Sequence, residues 1–194
     1  MIETSLQVTF PPWVESLVTG ESLYKTDEEK MALAIELARR NVQEQTGEPF
    51  GAAVFRADSG QLVGVGMSQV VRQKNSVLHA EVVALMMAEQ RLQTYNLRAD
   101  GHPYELFSSC DPCAMCLGAI HWSAVARLAC GATRDDAQSI GFDEGPVFPA
   151  SYAYLEAQGM TITREVLRAE ASAVIRMYAH SGGLIHNRIK SGEG

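Results

Sequence analysis

Two short motifs constrain this chain more than anything else in it. His79-Ala80-Glu81 stands where one apolar-periodic segment begins, and Pro112-Cys113-Ala114-Met115-Cys116 stands where another begins. Cys113 and Cys116 are spaced i and i+3, which puts both thiols on one helical face. The positive end of a helix favours their thiolate forms. His79 supplies a third ligand. One imidazole and two thiolates suit zinc, and three protein ligands leave a fourth position for water. Zinc lowers the pKa of such a water towards about 7. Glu81 then has a task, because a carboxylate beside the open position takes the water proton and delivers it to a substrate nitrogen. In mid-helix, residues i and i+2 point apart, so Glu81 is not a ligand; near a first turn, both it and His79 can border one pocket.

The same residues admit other readings. A C-x-x-C pair alone fits a redox site. A closed structural zinc site needs a fourth protein ligand, for which Cys110 is the nearest candidate. That reading makes the chain a non-catalytic zinc scaffold and leaves Glu81 without a role. Cys110, Cys113 and Cys116 cluster within seven residues, apart from Cys130. This is unlike a stapled secreted scaffold and points to metal or redox chemistry. Cys130 reads as a small buried apolar residue.

Composition narrows the class further. With 46% apolar and 20% charged residues in 194, the chain is of globular type and long enough to bury a core without staples. Its net charge of −7 argues against a general nucleic-acid surface. Met1-Ile2-Glu3-Thr4 lacks the basic start of a secretory signal, and no apolar run reaches membrane-spanning length. A cytoplasmic protein without a membrane partner is expected.

Along the chain, residues 1–25 read as an arm, with Pro11-Pro12 interrupting regular structure. Thr26-Asp27-Glu28-Glu29 has capping-box spacing and opens a helix ending near Thr46-Gly47. Phe50 to Phe55 and Leu62 to Val65, separated by Asp58-Ser59-Gly60, read as a hairpin. A polar loop from Ser68 to Ser76 precedes a helix from about His79 to Gln93. Tyr104 to Ser108 and Val125 to Cys130 read as strands flanking a helix with Asp111 as N-cap and Pro112 first. Met160 to Thr163 forms a last strand. Leu167, Ala171, Val174, Ile175 and Tyr178 mark a final helix stopped by Gly182-Gly183. Helices alternating with strands after a hairpin predict an α/β fold, three layers α/β/α around a mixed sheet of about five strands. The expected division is an arm (1–25), a zinc-dependent domain (26–180) and a C-terminal tail (181–194).

H-x-E followed by P-C-x-x-C is the signature of zinc-dependent nucleobase deaminases. The resemblance extends to Pro49-Phe50-Gly51-Ala52-Ala53-Val54, to Asp111 through Trp122, and to Ile140-Gly141-Phe142-Asp143-Glu144-Gly145-Pro146. Over about residues 27–187 the chain resembles bacterial guanine deaminases of the cytidine-deaminase superfamily. The resemblance implies a cytidine deaminase-like fold and one zinc per subunit on His79, Cys113 and Cys116. It implies Glu81 as proton shuttle and Glu144 as a second acid serving the leaving amine. It places Phe50, Trp122, Asp143 and the backbone around Ala53 at the substrate. It also implies a homodimer whose C-terminal segment, Ser181 to Gly194 here, closes over an active site.

Two positions depart from that pattern. Ser68 stands where the family usually carries Asn, eleven residues before His79, and a hydroxyl cannot make the bidentate contact of an amide. Asp111 replaces the usual Glu before the Pro-Cys pair. The expected activity is hydrolysis of guanine to xanthine and ammonia by zinc-activated water. Ser68 motivates an alternative aminated ring, such as an aminotriazine, pterin or cytosine. tRNA-adenosine editing is the further alternative, and the acidic charge opposes it. His102, His180 and His186 carry no spacing signal.

Overall fold

The computed structural model describes residues 4–18 and 22–187. Within the expected arm, Pro12 adopts φ −58° and starts a short helix, α1 (Trp13–Leu17). Proline's fixed φ suits that place, so Pro11-Pro12 begins an element rather than excluding one. Val14 is buried, and the Trp13 indole donates to Thr46 Oγ1 at 3.3 Å. Within the arm, α1 is therefore packed onto the domain.

Thr26 opens α2 (Asp27–Gln43) with the expected reciprocal cap. Its hydroxyl accepts from Glu29 N–H at 3.2 Å, and the Glu29 carboxylate accepts from Thr26 N–H at 3.1 Å. β1 (Gly51–Arg56) and β2 (Leu62–Met67) form the predicted antiparallel hairpin. The polar loop contains one short turn of helix, α3 (Val70–Gln73), before α4 (Ala80–Leu92). Then come β3 (Tyr104–Cys110), α5 (Ala114–Ser123) and β4 (Arg127–Ala132). Two helices interrupt the segment read as loop: α6 (Arg134–Gln138), capped by Thr133, and α7 (Pro149–Ala157), with Pro149 in its first turn. β5 (Thr161–Thr163) and α8 (Arg168–His180) complete the described elements.

The sheet has five strands in the order β2-β1-β3-β4-β5. β1 pairs antiparallel with β2 and β3, whereas β3–β4 and β4–β5 are parallel. One face packs on α2 and α8 through Met31, Leu37, Phe55, Phe107 and Ile175. The other packs on α4, α5 and α7 through Val54, Ala84, Leu106, Ile120 and Leu155. This is the expected α/β/α arrangement around a mixed sheet. No helix among the described residues is long and apolar enough to cross a membrane.

The close seating of α4 sets the position of His79 and Glu81. A Cβ on Gly66 would lie 2.1 Å from Ala80 O and 2.5 Å from Ala84 N, both backbone atoms that cannot move independently. Gly66→Ala must therefore push the start of α4 off the sheet. The expected cost is about 1–3 kcal/mol of stability, accompanied by weaker metal retention. Denaturant titration and metal analysis of the variant read both effects.

Candidate active site

Both site helices begin beneath the same end of the sheet. His79 is the N-cap of α4, and Cys113 is the N-cap of α5. The second helix therefore starts two residues later than Asp111-Pro112 predicted. The Asp111 carboxylate is occupied elsewhere: it accepts from Arg164 Nε at 3.1 Å and from Arg134 N–H at 3.2 Å. Cys113 and Cys116 still converge, because an N-cap side chain and the third helical residue share the helix mouth.

One ligand atom each from His79, Cys113 and Cys116 falls within 4.8 Å of the others. Cys113 Sγ lies 3.5 Å from His79 Nδ1. Ligands on one tetrahedral zinc, at roughly 2.0–2.3 Å, sit about 3.3–3.8 Å apart, so this spacing suits the ion. Cys110 does not join them; its thiol points to the Thr133 carbonyl at 3.5 Å. Among the described residues the set stays at three, which removes the observation that a closed scaffold site requires.

Glu81 is buried beside the triad. Its Oε1 accepts from the Ser108 hydroxyl at 3.2 Å, and its Oε2 accepts from the Cys116 thiol at 3.3 Å. As the second residue of α4, within the first turn after the cap, it lines the same cleft as His79. Burial, reinforced by the Cys113 charge, raises its carboxyl above the usual range. Glu144 is pushed up to about 8, first by burial and then by the charges of Cys113 and Glu81. Cys113 is drawn down to about 4, chiefly by the hydrogen bond from Cys116, whose own thiol is raised in return. Four acidic groups thus crowd one buried space. A divalent cation relieves that repulsion, and the donor set is the one zinc prefers.

A narrow cleft opens over these groups, lined by Phe50, Ser68, His79, Glu81, Glu144 and His186 among others. Phe50 packs edge-on against Phe142, with ring centroids 4.9 Å apart. The Glu144 carbonyl accepts from Ala114 N–H at 3.0 Å, which ties its loop to the start of α5. Arg134 holds the far end of the loop through the Val147 carbonyl at 2.8 Å.

Three expected substrate residues lie outside the cleft. Ala53 is wholly buried within β1 and packs into the α2 side of the core. Asp143 shapes its own loop instead, accepting from Gly145 N–H at 2.8 Å. Trp122 does not line the cleft and is 79% exposed. It sits six residues after Cys116, about 240° further round the helix, so the two cannot share a face. Conversely, His186 and Asn187 line the cleft although neither carries a spacing signal. Asn187 Nδ2 donates to the Asp143 carbonyl at 2.5 Å, joining the chain's end to the Glu144 loop. The rest of the expected tail, 188–194, lies outside the described residues.

Residues 24–132 match the family described as the cytidine and deoxycytidylate deaminase zinc-binding region. The chain belongs to this family. It is a zinc-dependent aminohydrolase of the cytidine deaminase-like fold. A solved structure described as guanine deaminase from Nitrosomonas europaea is 39% identical, with a TM-score of 0.88, covering 93% of this chain and 99% of that one. A structure of NE0047 in complex with 2,6-diaminopurine is 41% identical, with a TM-score of 0.87 and coverages of 94% and 97%. Among curated proteins, guanine deaminase of Bacillus subtilis is 34% identical over 115 residues, 59% of this chain and 70% of its own length. A tRNA-specific adenosine deaminase of Buchnera aphidicola is 28% identical over 152 residues, 78% of this chain and 93% of its own length.

Proposed function

We propose that this deaminase hydrolyses guanine to xanthine and ammonia. The observation that carries the reading is the placement of Glu81 and Glu144 in one cleft with the His79–Cys113–Cys116 triad. High coverage by a guanine deaminase structure supports the choice of base. Zinc held by the triad would supply Lewis acidity there, lowering the pKa of water towards about 7. Glu81 takes a proton from the attacking water and passes it to the ring nitrogen beside the amine-bearing carbon. The Ser108 hydroxyl holds Glu81 Oε1 during that transfer. Glu144 delivers the proton that lets the amine leave. Phe50 supplies an apolar wall for a planar ring. Guanine and one water thereby give xanthine and one ammonia.

The test is turnover of guanine beside an aminotriazine, pterin and cytosine by the same preparation. Guanine is expected to have the highest kcat/KM. A higher value for another ring would reassign the substrate to that ring. The net charge of −7 gives no support to tRNA as a substrate.

We further propose residues 26–180 as the catalytic domain, preceded by an arm over 1–25 and followed by a tail from 181, of which His186 and Asn187 line the cleft. The same reading places the enzyme in the cytoplasm as a homodimer. Support for the dimer comes from the outer face of α5 and its surroundings. Trp122 and Tyr154 are 79% and 54% exposed, with the His121 ring between them at centroid distances of 4.9 and 5.3 Å. An exposed aromatic cluster of this kind marks an interaction surface. Trp122→Glu is expected to shift the sedimenting species from dimer to monomer. A wild-type chain that sediments as a monomer would remove the dimer from the account.

A further inference from the structure

Glu48 is completely buried, yet the chemistry above gives it no task. Its carboxylate sits directly behind the wall of the cleft. Oε2 accepts from the Ser68 hydroxyl at 2.6 Å. Oε1 accepts from Val71 N–H at 3.3 Å and lies 3.3 Å from His186 Nδ1. Both Ser68 and His186 line the cleft, so Glu48 touches it only through them. The arrangement is rigid. Asn41 Nδ2 donates to the carbonyls of Glu48 and Ser68, at 2.9 Å each. Ser68 N–H donates to the Phe50 carbonyl at 3.0 Å.

A hydroxyl has one proton and two lone pairs. The Ser68 proton is directed at Glu48, and an ionised carboxylate offers no proton in return. Ser68 Oγ therefore presents lone pairs alone to the cleft. An amide at the same place would present both a donor and an acceptor.

We propose that Glu48 is a positioning residue that makes Ser68 an acceptor-only reader of the substrate. The hydroxyl then recognises a ring N–H and disfavours a ring lone pair or carbonyl at that point. This rests on the guanine reading for the identity of the ring, but the recognition chemistry needs only a planar base bearing an N–H. His186, whose Nδ1 lies 3.3 Å from the same carboxylate, lines the cleft from the C-terminal side.

The test crosses Ser68→Ala with methylation of the substrate nitrogens, using guanine, 1-methylguanine, 7-methylguanine and 9-methylguanine on zinc-loaded protein. Ser68→Ala is expected to raise KM for guanine about tenfold, the scale of a lost buried hydrogen bond, with kcat within twofold. Ser68→Thr, which keeps the hydroxyl, is expected to restore KM. Methylation at one nitrogen is expected to be strongly non-additive with Ser68→Ala and additive at the other two, since only the N–H facing Ser68 shares its hydrogen bond. Glu48→Gln can turn its amide towards Ser68 and release the hydroxyl proton to the cleft, so it is expected to weaken discrimination at that same nitrogen. A merely structural role for Ser68 and Glu48 would lower stability and leave all three crosses additive. Unchanged KM in Ser68→Ala, or additivity throughout, would overturn the proposal. Calorimetric binding of 8-azaguanine to wild type, Ser68→Ala and Ser68→Thr keeps the two claims apart. Absent guanine turnover with a Ser68-dependent affinity would remove guanine as substrate and leave the recognition intact. An affinity indifferent to Ser68 would overturn the recognition.

Discussion

Glu81→Gln is expected to lower kcat for deamination about a thousandfold while the protein keeps one zinc per chain. Positioned proton transfer contributes roughly 10²–10⁴ to rate, and Glu81 is asked here to move a proton from water to the ring. The amide is nearly the same shape and can still accept from Ser108 at the 3.2 Å contact. The loss should therefore fall on kcat and leave KM within a few-fold. Metal analysis and steady-state kinetics on one preparation separate this from a folding defect. A zinc-replete Glu81→Gln protein with wild-type kcat would exclude Glu81 as the proton carrier.

The largest stability effect is expected at the other end of β3. Glu105, 3% exposed, pairs with Lys30, itself 5% exposed, and its second oxygen accepts from Arg127 Nη1 at 3.0 Å. Arg127 also pairs with Asp27, whose carboxyl is held low chiefly by that hydrogen bond. Glu105→Ala leaves the Lys30 ammonium buried without its partner. Breaking a buried pair from one side costs about 3–5 kcal/mol, or roughly 6–20 °C in Tm for a chain of this size. Replacing both members, Lys30→Met with Glu105→Met, is expected to recover most of the loss, because no uncompensated charge remains. Three residues along the same strand, Ser108 contacts Glu81. KM at 25 °C should nevertheless stay near wild type, since the network does not touch the cleft. Thermal and denaturant unfolding of the two variants beside wild type measures this. A Glu105→Ala protein within about 1 kcal/mol of wild type would contradict the assignment.

Signals in the sequence are legible where the physics is local. The Thr26 box, the hairpin around Asp58-Ser59-Gly60 and the periodicity ending at Tyr178 each involve neighbours within a few residues. Each half of the triad is local too, since each motif opens its own helix, although His79 and Cys113 stand 34 residues apart. α5 starts two residues after the place its sequence suggests, because Asp111 is an ordinary N-cap type while its carboxylate is captured by Arg164, 53 residues away. α6 and α7 were hidden by the surrounding Gly-Pro signals, although Thr133 and Pro149 were available as start markers. Trp122 shows what a motif leaves out: its place next to the site in sequence says nothing about its direction around the helix. His186, Asn187 and Glu48 belong to contacts between distant segments, which no spacing rule reports. Glu48 did leave one trace, a carboxylate between Gly47 and Pro49 immediately before a buried strand.

The most direct measurement is product analysis with purified, zinc-loaded protein and guanine at neutral pH. Xanthine and ammonia are expected in equal amounts, abolished by metal removal and restored by added zinc. Guanine recovered unchanged, under conditions where zinc is bound and another aminated ring releases ammonia, would contradict the guanine reading.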